Sequence, residues 1–315
     1  MKKSTIGVIG MGPVGSILAA HLAVSGEDVV AEDVVEKILS KVRKDGLNIS
    51  GIKKLTARIS KTAKSISELA EYDPDIIFIA TKASILKYVL PELKRVTTPE
   101  VKIVSYQNGL DNERIIAETL GIDTAYRVTI NYAGNLVSPG NISMNWFQPP
   151  NFVGALHKGR YATDETTKYI ARTMTASGLK TEETPDIKRH VWKKTILNSA
   201  LCSICAMTGQ TMNEAMEFES SRVLTIKMLE EGLEVARADG YDFGTEALAH
   251  FTSYLEKGGA HKPSMLIDVE NKRPTEVDFM SGAIVRYGET YGIPTPVNST
   301  FTSLLKTIEN RYLNP

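Results

Sequence analysis

Cysteine, net charge and long apolar runs are all scarce in this 315-residue chain, and each shortage removes a class of function. Cys202 and Cys205 are the only cysteines. No second Cys or His pair stands at ligand spacing, so a four-ligand structural zinc lacks donors and no metal site is expected. The two lie in an apolar, helix-like stretch, where thiols serve as small core or pocket residues rather than as a redox couple. Lys+Arg and Asp+Glu both number 37, for a net charge of +0. That balance leaves no basic excess to hold a nucleic-acid backbone. No apolar run approaches the ~18 residues of a membrane helix, so no membrane partner is expected. Lys2-Lys3 and the stretch behind them loosely imitate an export leader, but glycines interrupt its core. With reduced thiols, a cytoplasmic location is expected.

Glycine, by contrast, is concentrated where it carries meaning. Ile6-Gly7-Val8-Ile9 runs into Gly10-Met11-Gly12-Pro13-Val14-Gly15 and then into a helix-like stretch over 16–25. Strand, glycine turn and helix in that order suit a diphosphate. Gly10 permits a tight turn, Gly12 lets backbone approach the ligand, and Gly15 lets the helix pack close to the sheet. Pro13 fits the first helical turn, where a missing N–H costs nothing. All six residues of the turn, Met11 and Val14 included, are candidate cofactor contacts.

The length suggests about two domains. In the first, β-like segments over 28–34, 75–80, 101–105 and 124–131 are separated by helix-like ones, which predicts a doubly wound parallel α/β sheet. The apolar run over 75–80 implies burial on both faces. Residues 139–160, rich in Pro, Gly and Asn, predict turns and short antiparallel strands near the edge. Composition changes near Thr184-Pro185. Beyond it helical periodicity dominates, with long helices expected over 212–239, 274–291 and 298–312. The expected domains are 1–184, dinucleotide-binding, and 185–315, an all-α substrate and catalytic domain.

In such sheets an acidic residue at the end of the second strand meets the adenosine ribose hydroxyls. Glu32 and Asp33 lie there, with Asp33 at the tip. A carboxylate would repel a 2′-phosphate, which favours NAD(H) over NADP(H), though Lys37 and Lys41 are close enough to keep NADP(H) open. In the second domain, Lys194, Asn198 and Cys202 are spaced by four and share one helix face. A lysine on a largely buried helix can hydrogen-bond a carbonyl, stabilise the alkoxide and deliver a proton. The same spacing also suits a surface lysine and a core asparagine, and spacing alone does not separate the two. His190 and His261 are competing acid/base candidates without an evident carboxylate partner.

Taken in order, Gly10-x-Gly12-x-x-Gly15, Ala80-Thr81-Lys82, Gln107-Asn108-Gly109, Trp192-x-Lys194-x-x-x-Asn198, Ser264-Met265-Leu266-x-Asp268 and Thr275-Glu276-Val277-Asp278 resemble the ketopantoate reductase (2-dehydropantoate 2-reductase) family. The similarity runs essentially end to end. It implies a Rossmann-type domain joined to an all-helical one, and reduction of a 2-keto acid to the (R)-2-hydroxy acid in the cleft between them. Carried over, it makes Lys194 the catalytic proton donor and oxyanion partner. Asn108 would lie beside nicotinamide and substrate, Asn198 and Ser264 would bind substrate, Glu276 would anchor the ribose or the lysine network, and Lys82 would stand at the nicotinamide end. Two departures matter. The family norm is NADP(H), with a basic residue where this chain has Asp33. Many members also carry a second substrate-binding asparagine where this chain has Cys202. The resemblance makes ketopantoate the first substrate expectation, and the departure at Cys202 makes other branched or aromatic 2-keto acids, as for NAD-dependent D-2-hydroxyacid dehydrogenases, the alternative. A non-catalytic dinucleotide sensor is the alternative of another class. A homodimer is compatible with this reading.

Overall fold

A computed structural model describes residues 4–313; Lys2 and Lys3 of the leader-like start lie outside the described residues. The chain divides into two compact units, one of residues up to 107 with Asp111–Lys188, the other of Asn108–Leu110 with Arg189 onward.

The first unit opens with β1 (Thr5–Ile9), α1 (Pro13–Val24), β2 (Asp28–Glu32) and α2 (Glu36–Asp45). Then come β3 (Leu47–Gly51), β4 (Leu55–Ala57), β5 (Lys61–Ala63), α3 (Ile66–Ala70), β6 (Ile76–Ile79), α4 (Leu86–Val96), β7 (Lys102–Ser105) and α5 (Asn112–Leu120). It closes with β8 (Thr124–Thr129), β9 (Tyr132–Ser138), β10 (Asn141–Phe147), β11 (Asn151–His157), β12 (Arg160–Ala162), α6 (Glu165–Ala176) and β13 (Thr181–Glu183). The main sheet runs β12-β11-β8-β7-β6-β1-β2-β5, with β13 added beside β11. It is parallel from β5 to β8 and turns antiparallel where β11 meets β8. The doubly wound parallel sheet is therefore parallel in its centre and mixed at one edge.

Successive residues of the central strands feed opposite cores, which explains why the strands read as continuous apolar runs. Val8, Ala31, Phe78 and Val104 face a core that includes Ile17 and Leu18 of α1 and Ile170 of α6. Ile9, Val30, Ile79 and Ile103 face one that includes Leu69 of α3, Leu90 of α4 and Ile116 of α5. The chain places β2 on one side of β1 and returns to place β6 on the other. That reversal opens a crevice at the carboxyl ends of β1 and β6, the usual ligand position in such sheets.

The 139–160 segment forms antiparallel strands as expected, but not all of them lie at the edge of the main sheet. Only β11 and β12 extend the main sheet; β10 joins a separate sheet, β4-β3-β10-β9. Leu47, Ile142 and Met144 of this sheet share a core with α1. Gly134 of β9 comes so near α1 that a Cβ there would sit 2.9 Å from Ile17 Cδ1. Layered in this way, α1 is buried almost all round, so it carries no polar stripe.

The second unit is helical. It comprises α7 (Ile187–Thr208, of which the first two residues belong to the first unit), α8 (Met212–Glu217), α9 (Glu219–Ala238), α10 (Ala247–Glu256), α11 (Ser264–Glu270), α12 (Ser281–Tyr291) and α13 (Pro296–Leu313). Two expected helices are shorter than their periodicity suggests. The 212–239 stretch breaks at Phe218, which takes an extended conformation, and the Ser221 hydroxyl donates to the carbonyls of Ala215 and Phe218. The 274–291 stretch becomes helical only at Ser281. Before it, the Thr275 hydroxyl accepts from Val277 N–H and the Glu309 carboxylate accepts from Thr275 N–H, which holds a short 3-10 turn over Val277–Phe279.

Candidate active site

The glycine turn is built from two glycines that serve packing and one that does not. Gly10 has φ +94°, and a Cβ there would sit 2.9 Å from Thr81 Cγ2 and 3.1 Å from Thr81 N. A Cβ on Gly15 would lie 2.0 Å from the Gly10 carbonyl oxygen, so only glycine lets α1 start this close to the turn. Gly12 has ordinary backbone angles, and a Cβ there would meet nothing within 4 Å. Its missing side chain leaves open space beside the N-terminus of α1, where Pro13 is the first helical residue. First-turn N–H groups have no carbonyl partner within a helix. Open space beside such donors fits a dinucleotide diphosphate. Ser16 steadies the turn by donating its hydroxyl to the Met11 carbonyl at 2.9 Å. Met11 itself is buried.

At the end of β2 the two acids diverge. Asp33 is half-buried, and its carboxylate accepts from Met11 N–H and from Val35 N–H, each at 2.8 Å. It thus pins the glycine turn while standing at the strand tip. Glu32 is 3% exposed. Burial, then the charge of Asp33, pushes its carboxyl up to about 7 despite a hydrogen bond from Gly10 N–H. Two basic residues of α2 turn to their own neighbours, Lys41 bonding Asp45 at 2.6 Å and Arg43 pairing with Glu36, while Lys37, in the first turn of α2, is exposed.

Lys82 follows β6 at the N-cap position of the 3-10 turn Ala83–Ile85 and is half-buried. Asn108, after β7, belongs to the other unit. There Leu110 N–H donates to the Phe279 carbonyl at 2.9 Å, and Gly109 has φ +92° with room for no Cβ, which would lie 2.5 Å from that oxygen. Asn108–Leu110 is in this way brought onto the turn that follows Glu276.

On α7 the spacing works as expected. Lys194 and Asn198 are half-buried and Cys202 is buried, one helical turn apart in succession. Trp192 sets the rotation of this helix: fully buried, it donates from Nε1 to Asp239 at 2.8 Å and packs edge-on against Tyr287. Cys202 shares a core with Met265 and Val277, the residues directly after Ser264 and Glu276. Ser264 is exposed at the first position of α11, and Glu276 is 5% exposed. Neither cysteine is in a disulfide, and burial holds Cys205 well above the usual thiol range.

Sequence reasoning missed the residues behind these loops. Arg127 and Glu113, both buried, form an ion pair at 3.6 Å, and the phenols of Tyr106 and Tyr132 meet at 2.9 Å, with Tyr132 also donating to the Val14 carbonyl. Burial raises both phenols far above the usual range, which keeps them neutral donors. No local spacing signals such pairs. Among the described residues, no cluster of three or more His, Cys, Asp or Glu could hold a metal ion, and no helix is long and apolar enough to cross a membrane.

Comparison with known proteins gives a consistent picture. Residues 6–156 match the family model Ketopantoate reductase PanE/ApbA, and residues 186–309 match Ketopantoate reductase PanE/ApbA C terminal. The 2-dehydropantoate 2-reductase of Archaeoglobus fulgidus is 28% identical, over 98% of this chain and 99% of its own length. Among solved structures, a PanE/ApbA family ketopantoate reductase from Ralstonia eutropha JMP134 superposes with a TM-score of 0.87 at 20% identity, covering 98% of this chain and 99% of that one. D-mandelate dehydrogenase with NADH and anilino(oxo)acetate superposes at 0.84 with 24% identity and the same coverage. At such identities the superpositions show the shared fold.

Proposed function

The chain belongs to the ketopantoate reductase family and is an NAD(P)-dependent oxidoreductase of that type, acting in keto acid reduction; on that premise we propose that it reduces 2-dehydropantoate to (R)-pantoate with NADH. The observation that carries the proposal is the polar face of α7, with Lys194 and Asn198 half-buried and Cys202 packed beside the segments that hold Ser264 and Glu276. The reduced nicotinamide supplies the hydride when bound. Lys194 donates a hydrogen bond to the ketone oxygen, stabilises the negative charge that grows there and transfers a proton to it. Asn108 and Asn198 orient the substrate, Ser264 binds its carboxylate or hydroxyl, and Glu276 holds the ribose or the lysine ammonium. Cys202 lines the substrate side as a small apolar surface, since a thiol is a weak hydrogen-bonding group.

For the cofactor, Asp33 supports NADH. Its carboxylate stands at the tip of β2 against the glycine turn; Lys41 and Arg43 of α2 are paired with acids, which leaves Lys37 as the base to meet a 2′-phosphate. Lys82 and the 10–15 turn hold the remainder of the dinucleotide. The test is an activity matrix of NADH and NADPH against ketopantoate, other branched 2-keto acids and aromatic ones, followed by loss of cofactor absorbance. Fastest turnover with NADH and ketopantoate is expected. A clear preference for an aromatic keto acid would reassign the substrate, and binding of cofactor without turnover on any keto acid would make the chain a sensor.

A further inference from the structure

One side chain ties two neighbouring strand ends of the main sheet together. Gln107 is 4% exposed; its Nε2 donates to the Thr81 carbonyl at 3.0 Å, and its Oε1 accepts from the Ser105 hydroxyl at 3.4 Å. Ser105 accepts in turn from Arg127 Nη1 at 2.9 Å, and Arg127 is paired with Glu113, whose other oxygen accepts from Tyr161 at 2.8 Å.

The polarity of this chain of bonds has a single solution. The Thr81 carbonyl only accepts, so Gln107 turns Nε2 to it and Oε1 to Ser105, whose hydroxyl gives its hydrogen to that oxygen and a lone pair to the Arg127 guanidinium. Ser105 and Arg127 hold the amide in that orientation. A buried ion pair is a poor route to stability, because desolvation offsets its attraction, so its presence calls for another use. What it secures is Thr81, whose backbone abuts Gly10 of the glycine turn and which directly precedes Lys82.

We propose that Gln107 is a positioning residue for the cofactor: oriented by Ser105 and Arg127, it holds the Thr81-Lys82 turn against the glycine turn and so sets dinucleotide affinity. This rests on the assignment of the glycine turn and Lys82 to the cofactor. Gln107→Met keeps the volume and removes both bonds. Ser105→Ala leaves the amide free to rotate.

The experiment is calorimetric titration of NADH and NADPH into wild type, Gln107→Met, Ser105→Ala and the double variant, with thermal melts and steady-state kinetics beside it. Gln107→Met is expected to raise the cofactor Kd about tenfold, the scale of one net hydrogen bond lost. KM for cofactor should rise while kcat at saturating cofactor stays unchanged. Ser105→Ala alone should weaken binding about threefold, and the double variant should match Gln107→Met, because both act through one contact. Unchanged Kd in Gln107→Met, or losses that add in the double variant, would overturn the proposal. Should Gln107→Met fail to fold, an unchanged Kd in Ser105→Ala overturns it equally. Gly12→Val, whose Cβ meets no neighbour, separates the two levels: its Kd staying at the wild-type value would remove the cofactor from the glycine turn itself, whereas its loss alongside a wild-type Gln107→Met refutes only the role of Gln107.

Discussion

The two units present their candidate site residues in different ways. The first works with backbone: strand ends, a glycine turn and the first N–H groups of α1, steadied by side chains from behind. The second works with side chains on helix faces, where Trp192 fixes which face of α7 carries Lys194. A backbone site depends on where side chains are absent, and a helix-face site on which are present. Substitutions should therefore fail differently in the two.

The largest effect is expected in the second unit. Lys194→Ala should lower kcat about a thousandfold, the scale of losing a proton donor and oxyanion partner together, with cofactor Kd little changed. Equal losses in kcat and cofactor affinity would erase the contrast between the two units.

Next comes a stability test in the first unit. A methyl at Gly15 collides with the Gly10 carbonyl, so Gly15→Ala should cost about 3 kcal/mol in denaturant unfolding. A Cβ at Gly12 meets open space, so Gly12→Val should cost less than about 1 kcal/mol while blocking the dinucleotide. Similar melting points for both would show that the turn does not have the geometry described.

Glu32 gives a pH dependence of comparable size. Its carboxyl is raised from 4.5 to about 7 in the folded state. Over that window the folded chain keeps a proton that the unfolded chain has released. Its contribution is complete below the unfolded value and is lost as pH rises through 7. Glu32→Gln cannot ionise, so its stability relative to wild type should improve by about 3 kcal/mol between pH 4.5 and pH 8. A difference that stays flat in urea titrations at several pH values would mean that Glu32 titrates normally.

The smallest effect concerns cofactor choice. Asp33→Asn should move the ratio of NADPH to NADH efficiency toward NADPH about tenfold, or ~1.4 kcal/mol. An unchanged ratio would leave Asp33 only its structural work on Met11 and Val35.

Much of the first unit was legible because its signals are local. Apolar strands, the 10–15 turn and the acids at 32–33 each fall within a few residues, and the periods of strand and helix convert spacing directly into facing. Helix lengths were less legible. Periodicity ran through Phe218 and through 274–280, and it was side chains such as Ser221 and Glu309 that broke the helices there. The separate sheet over β3, β4, β9 and β10 was hidden because strand partners are chosen by what they cover, here α1, and not by nearness in sequence. On α7 the four-residue spacing placed Lys194, Asn198 and Cys202 on one face, but what meets Cys202 comes from residues more than sixty positions away.

By itself, the sequence determined the turn, the alternation of strand and helix, and the α7 face, since each follows from steric rules acting over a handful of residues. Only the tertiary structure decided that Asp33 grips the glycine turn, that Glu32 is buried, and that Arg127 orients Gln107 through Ser105. Those outcomes depend on which distant groups share a low-dielectric space. There every donor must find an acceptor and every charge a partner, and no spacing along the chain encodes that pairing.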